Sequence, residues 1–134
     1  MCGPSFFSFF LYAHRYKNIV GFDISKEQID ISKSLFRKHG FEKARFFVSD
    51  VEKIRLPEEY ADFVFVTTSL HHLSDMTDAV KEIKRILKRN HYFVAFEPNP
   101  LNPYSWYHHW TERRTGKASV NEKLQTPNKI KDTF

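Results

Sequence analysis

An α/β fold with a parallel sheet is predicted by three features of the chain. Short apolar runs close on polar or acidic residues at Asp23, Asp50, Thr68 and Glu97. Stretches with helical spacing separate those runs, and this alternation of strands and helices puts helices on both faces of a parallel sheet. The run over residues 61–68 is apolar and β-branched almost without a break, the composition of a strand buried on both faces. At 134 residues, 41% hydrophobic and 16% aromatic, the chain has the length of one domain and too much apolar content to stay disordered.

Residues 4–16 open with Pro4 at a place suited to a first helical turn and are apolar nearly all round, which predicts a mostly buried helix. Residues 18–23 form the first strand. Ser25 and Gln28 have the spacing of a capping box and open a helix carrying Ile29, Ile31, Leu35 and Phe36. Gly40, able to take a left-handed conformation, ends it. Residues 44–48 give the second strand and, after a loop with Pro57, residues 61–68 the third. Apolar positions 79, 80, 83, 86 and 87 mark one stripe of a helix over residues 75–90 that stops at Asn90. Residues 92–96 form a further strand closing at Glu97. After the breaker Asn99-Pro100-Leu101-Asn102-Pro103 the chain turns polar and basic, with a helix expected from Tyr104 to about Thr115. The expected organisation is one body over residues 1–103 and a polar extension, helical or flexible, over residues 104–134.

Composition removes several function classes. A single cysteine, Cys2, allows neither an internal disulfide nor a cysteine-based zinc site, and points to a cytoplasmic location. The histidine pairs His71-His72 and His108-His109 lack His-x-x-His spacing, so no metal is expected. The apolar start has no basic residue ahead of it, and no apolar stretch reaches the 18 or so residues that span a bilayer. A net charge of +5 is spread along helices rather than gathered into a stripe, which reads as a solvated face and predicts no specific nucleic-acid binding. Four glycines, where about 7% is usual, weigh against a complete glycine-rich loop. Nothing in the sequence settles the oligomeric state.

In open parallel sheets the ligand lies beyond the carboxyl ends of the strands. Asp23 there suits the two hydroxyls of a ribose, Asp50 an exocyclic amine, and Glu97 adds a third carboxylate to the same rim. A lone strand-end aspartate is more often a cap or turn residue, but two in successive units favour a nucleoside-shaped ligand. Met1-Cys2-Gly3-Pro4-Ser5, directly before a helix, offers backbone N–H groups to an anion.

The series Cys2-Gly3-Pro4-Ser5, Gly21-Phe22-Asp23-Ile24-Ser25, Ser49-Asp50-Val51-Glu52, Ser69-Leu70-His71-His72-Leu73-Ser74-Asp75 and Glu97-Pro98 resembles the class I S-adenosylmethionine-dependent methyltransferases that act on small molecules. The resemblance implies a Rossmann-like methyltransferase fold and S-adenosyl-L-methionine as cofactor. It implies that Cys2, Gly3 and Pro4 line the methionine end, that Asp23 holds the ribose, and that Ile24 packs on the adenine. Asp50 and Val51 then read the adenine edge, and Thr67 and Leu70 lie beside the methyl donor.

Two departures stand out. The acidic-x-Gly-x-Gly-x-Gly loop of that family follows a first strand, whereas this chain begins inside the loop and has Ser5 where a further glycine is usual. The missing strand belongs between the strands ending at Asp23 and Thr68, and no antiparallel pair follows residue 103. The expectation is a methyltransferase domain clipped at both ends and possessing an incomplete cofactor loop.

His71 and His72 are the catalytic candidates, because a histidine can take a proton from an acceptor whose nucleophile must lose one. The alternative is structural, with one histidine packed under the sheet edge and the other solvated. Trp106, Tyr107, His108, His109 and Trp110 form either an aromatic wall over a flat substrate or a helix face covered by further chain. The leading expectation is methyl transfer to a small-molecule acceptor. The alternatives are a non-enzymatic truncated paralogue or mis-started fragment, and an NAD-dependent oxidoreductase, which Asp23 would also suit.

Overall fold

The computed structural model describes residues 18–73, 75–116 and 126–134. The helix expected over residues 4–16 lies outside them. The described chain divides into two compact units, one ending at Arg55 and the other beginning at Leu56.

In the first unit, β1 (Val20–Asp23) and β2 (Arg45–Val48) pair in parallel, with Val20 opposite Arg45 and Asp23 opposite Val48. The crossover between them is α1 (Lys26–Lys38). Its apolar stripe, Ile29 and Phe36, is buried and meets Phe46 of β2, with the Phe36 and Phe46 rings edge-on at 4.8 Å. Ile31 lies off that stripe and is 44% exposed.

Both ends of α1 carry the expected signals. Ser25 Oγ accepts from the Gln28 amide at 3.3 Å. The reciprocal half of the capping box is not made: the Ser25 amide donates to Asp23 Oδ1 at 2.9 Å, and Gln28 Oε1 is buried without a hydrogen-bond partner. Asp23 has displaced glutamine from its usual capping role. At the other end Gly40 has φ 73°, its amide donates to the Arg37 carbonyl, and the Phe41 amide donates to the Phe36 carbonyl. These two bonds form a Schellman motif, closed by the edge-on contact of Phe41 with Phe36.

In the second unit, β3 (Ala61–Thr67) and β4 (Leu87–Phe96) also pair in parallel, connected through α2 (Thr77–Ile86). Strand alternation separates two faces. Val64, Val66, Phe93 and Ala95 pack with Leu70 and with Met76, Val80 and Ile83 of the α2 segment. The opposite face carries Phe63, Phe65, Tyr92, Val94 and Phe96, in register across the pair, and Tyr92 and Phe96 are largely exposed. Burying five apolar side chains at about 2 kcal/mol each makes the inner face the main support of this unit.

The helix expected over residues 75–90 stops at Ile86, and Leu87 is already extended and paired with Ala61. A long-range backbone bond accounts for the early stop: the Arg85 carbonyl accepts from the Glu59 amide at 2.9 Å. Asn90, expected to end the helix, instead lies within β4 with φ 59°, in the segment that shifts the register before Tyr92 pairs with Phe63.

Beyond β4, α3 (Pro103–Arg114) fits the helix expected from Tyr104, with Asn102 as N-cap. A further helix, α4 (Pro127–Thr133), was not expected, although Thr126 before Pro127 is a helix-start signal. Ile130 of α4 reaches the inner core, and Phe134 stacks on Phe93 at 4.7 Å. Among the described residues each unit holds one two-stranded parallel sheet, β1 with β2 and β3 with β4.

Candidate functional site

The carboxyl ends of β1 and β2 bring four of the expected cofactor residues to one edge of the first unit. Asp23 closes β1, is 7% exposed, and spends one carboxylate oxygen on the Ser25 amide. The Asp23 carbonyl accepts from the Ser49 amide at 2.9 Å, which ties the two strand ends together. Asp50 follows as the N-cap of a 3₁₀ turn over Val51–Lys53, its Oδ1 accepting from the Glu52 amide at 3.1 Å, and it is exposed. Ile24 presents an apolar side chain to solvent directly after Asp23, while Val51 is buried. Cys2, Gly3 and Pro4 lie outside the described residues.

This edge combines an exposed apolar side chain with two strand-end carboxylates. An exposed isoleucine provides a plate for a flat ring, and carboxylates on neighbouring strand ends provide acceptors for ribose hydroxyls and an amine. Such acceptors hold a ligand best where the protein has already fixed their orientation, as the Ser25 and Glu52 amides do here.

The second unit gathers Thr67, Leu70, His71 and His72 around Glu97. β3 ends at Thr67, and Thr68 adopts φ 42°, a left-handed conformation that is strained for a β-branched residue. Two contacts hold the chain there: the Thr68 amide donates to the Phe96 carbonyl at 2.7 Å, and Glu97 grips the turn that follows. Glu97 Oε1 accepts from the amides of Ser69 at 2.8 Å and Leu70 at 2.9 Å. Its Oε2 lies 2.6 Å from His71 Nδ1. Both side chains are buried, His71 at 8% and Glu97 at 4% exposure.

Burial pushes the Glu97 carboxyl up, but the hydrogen bond with His71, the two amides and the histidine's charge together outweigh it and leave the group below its ordinary range. A carboxylate on Nδ1 fixes the plane of the His71 ring. His72 is exposed, and its ring lies 4.1 Å from that of His71. One histidine packed and one facing solvent is the arrangement anticipated for a structural pair. Leu70 is fully buried, its side chain belongs to the inner core, and its amide and carbonyl are taken up by Glu97 Oε1 and the Leu73 amide.

Sequence reading placed Glu97 on the rim but missed that it binds the 69–71 turn. The available signal was a glutamate ending a strand before proline; its partners, 26 to 28 positions away, leave no local trace. Beside Glu97 a cavity of about 400 Å³ is lined by Phe93, Ala95, Pro98, Ile130, Lys131 and Phe134. Among the described residues no cluster of histidine, cysteine, aspartate and glutamate could hold a metal, and no helix is long and apolar enough to cross a membrane.

The model of the methyltransferase domain family matches residues 2–95. The uncharacterized methyltransferase YcgJ of Bacillus subtilis (strain 168) is 31% identical over 78 residues, which make up 58% of this chain and 31% of YcgJ. The chain thus matches less than a third of that relative's length. The crystal structure of YcgJ superposes with a TM-score of 0.80 at 21% identity, covering 99% of this chain and 56% of YcgJ. The PH0226 protein of Pyrococcus horikoshii OT3 gives 0.79 at 19% identity, covering 98% of this chain and 67% of that one. The [4+2]-cyclase SpnF gives 0.78 at 18% identity, covering 98% and 46%. At these identities the solved structures share the Rossmann-like fold. Since the family match runs without a break through β1, β2, β3 and nearly all of β4, the chain belongs to the class I S-adenosylmethionine-dependent methyltransferase family.

Proposed function

We infer that the chain binds S-adenosyl-L-methionine and serves methyl transfer to a small-molecule acceptor. The observation that carries this reading is the paired strand end of the first unit, where Asp23 and Asp50 flank the exposed Ile24. Asp23 accepts from the ribose hydroxyls, Ile24 packs on the adenine, and Asp50 with the Val51 backbone meets the adenine edge. Cys2, Gly3 and Pro4 are assigned to the methionine end, and Thr67 with Leu70 to the neighbourhood of the donor. The cofactor, when bound, supplies an electrophilic methyl on a sulfonium. Residues 1–103 form the cofactor-binding part and residues 104–134 an extension, and the single cysteine favours a cytoplasmic setting.

The chain's contribution to the reaction is alignment, exclusion of water and, where the acceptor must lose a proton, a base. His72 is the exposed member of the histidine pair and is assigned to meet the acceptor. His71, held by Glu97, is assigned to position its neighbour. The cavity beside Glu97 favours an acceptor with an apolar body and an anionic group for Lys131.

Isothermal titration with S-adenosylmethionine tests the reading: micromolar to millimolar binding is expected, weakened at least tenfold by Asp23→Ala. A folded chain that binds none at millimolar concentration defeats it. That result would support a non-catalytic methyltransferase-like chain. SpnF shows why the reaction must be measured, since its name is that of a cyclase on the same fold.

A further inference from the structure

Helix α3 turns its aromatic residues, together with two arginines, away from the rest of its unit. Its half-buried residues, Ser105, His109, Thr111 and Glu112, are all polar. Its aromatic residues all face solvent: Tyr104 is 70% exposed, Trp106 64%, Tyr107 57% and Trp110 43%. At about 100° per residue, Trp106, Tyr107, Arg113 and Arg114 fall within roughly 60° of Trp110, with Tyr104 about 120° away and Glu112 on the far side. Arg114 lies over the Trp110 ring at 4.5 Å, and Tyr107 and Trp110 are 6.2 Å apart. Just ahead of the helix, Leu101 is 82% exposed.

The choice of aromatic residue separates this face from a core awaiting its cover. Both tryptophans of the chain are here, and none of its 14 phenylalanines is. Every aromatic residue on the face has a polar tip, which suits a boundary with one apolar and one wet side. The open face of β4, by contrast, is built partly of Phe96 and Val94. The two arginines beside the ring cluster add positive charge that complements anionic headgroups, on a chain whose net charge is +5.

We propose that α3 docks the protein on the surface of a membrane containing anionic phospholipid. The helix lies in the interface with Trp106, Tyr107 and Trp110 at headgroup depth and Arg113 and Arg114 paired with phosphate or carboxylate. It does not span, and its 12 residues would not suffice to. This docking is independent of whether the chain binds S-adenosylmethionine.

Because both tryptophans are on α3, intrinsic tryptophan fluorescence of the full chain reads this helix without a label. Vesicles of phosphatidylcholine with phosphatidylserine are expected to shift the emission to the blue, and brominated lipid to quench it. Pure phosphatidylcholine vesicles should bind about tenfold less well, and so should mixed vesicles with the Arg113→Glu, Arg114→Glu double variant. Tyr104→Ser with Tyr107→Ser keeps both reporters and should weaken binding to either vesicle. No spectral change with mixed vesicles, for a protein folded by circular dichroism, overturns the proposal. Co-sedimentation without a tryptophan shift also overturns it, because another surface would then be responsible. A blue shift that needs no lipid and follows protein concentration would overturn it in favour of a second copy of the chain.

Discussion

Asp23 and Glu97 both stand at the carboxyl end of a parallel strand and both are nearly buried, yet they work over different ranges. Asp23 caps its own turn, two residues ahead. Glu97 reaches back 26 to 28 positions to hold two amides and an imidazole, and so fastens the strained turn after β3. The reach of a strand-end carboxylate therefore separates a local cap from a long-range fastening. Asp23 takes the Ser25 amide of its own turn, whereas the two oxygens of Glu97 take donors from a turn 26 to 28 positions away.

Glu97→Ala is the strongest way to break that contrast. It strands a buried imidazole and two amides and should cost about 3 to 5 kcal/mol, read as a lowered midpoint in urea unfolding. Glu97→Gln keeps an acceptor for the amides and should lose roughly half as much. If both variants unfold like the parent, the latch carries no load. Asp23→Ala should cost only about 1 to 2 kcal/mol, the worth of a charged group on a local cap. A loss equal to that of Glu97→Ala would erase the distinction.

Acid provides a second measure. The Glu97 carboxyl lies below its ordinary range when folded, so its contribution is present above the unfolded value and disappears as pH falls through the folded one. Stability should drop below about pH 4, and Glu97→Gln should flatten that part of the curve. An unchanged slope in the variant would assign the acid sensitivity to other carboxylates.

Smaller effects test the frame around Asp23. Gly40→Ala meets no neighbouring atom, so its cost of about 1 kcal/mol would come from φ 73° alone. Gln28→Leu removes a buried acceptor that has no partner, and thermal unfolding should show a change within about 0.5 kcal/mol or a small gain. A large loss there would mean that Gln28 makes a contact through water or ligand.

Legibility followed distance along the chain. Ser25, Gly40 and the strand-end carboxylates were readable because capping and period act within a few residues. The end of α2 was misread because Ile86 and Leu87 continue its apolar stripe, while the bond that stops it comes from Glu59. Within the candidate site, Asp23, Asp50 and the histidine pair were singled out by their positions after strands, and Thr67 by the resemblance. Which of the two histidines packs was not legible, because His71-His72 is a symmetrical pair until Glu97 takes one ring.

The sequence by itself determined the alternation of strands and helices, the family and the residues at each strand end, all of which follow from period, caps and motif spacing. Only the tertiary structure decided that Glu97 fastens the turn after β3, that Leu70 turns into the core, and that α3 shows its aromatic side to solvent. Each of those depends on which groups meet after the chain has folded, and hydrogen bonding and burial between distant residues leave no period to read.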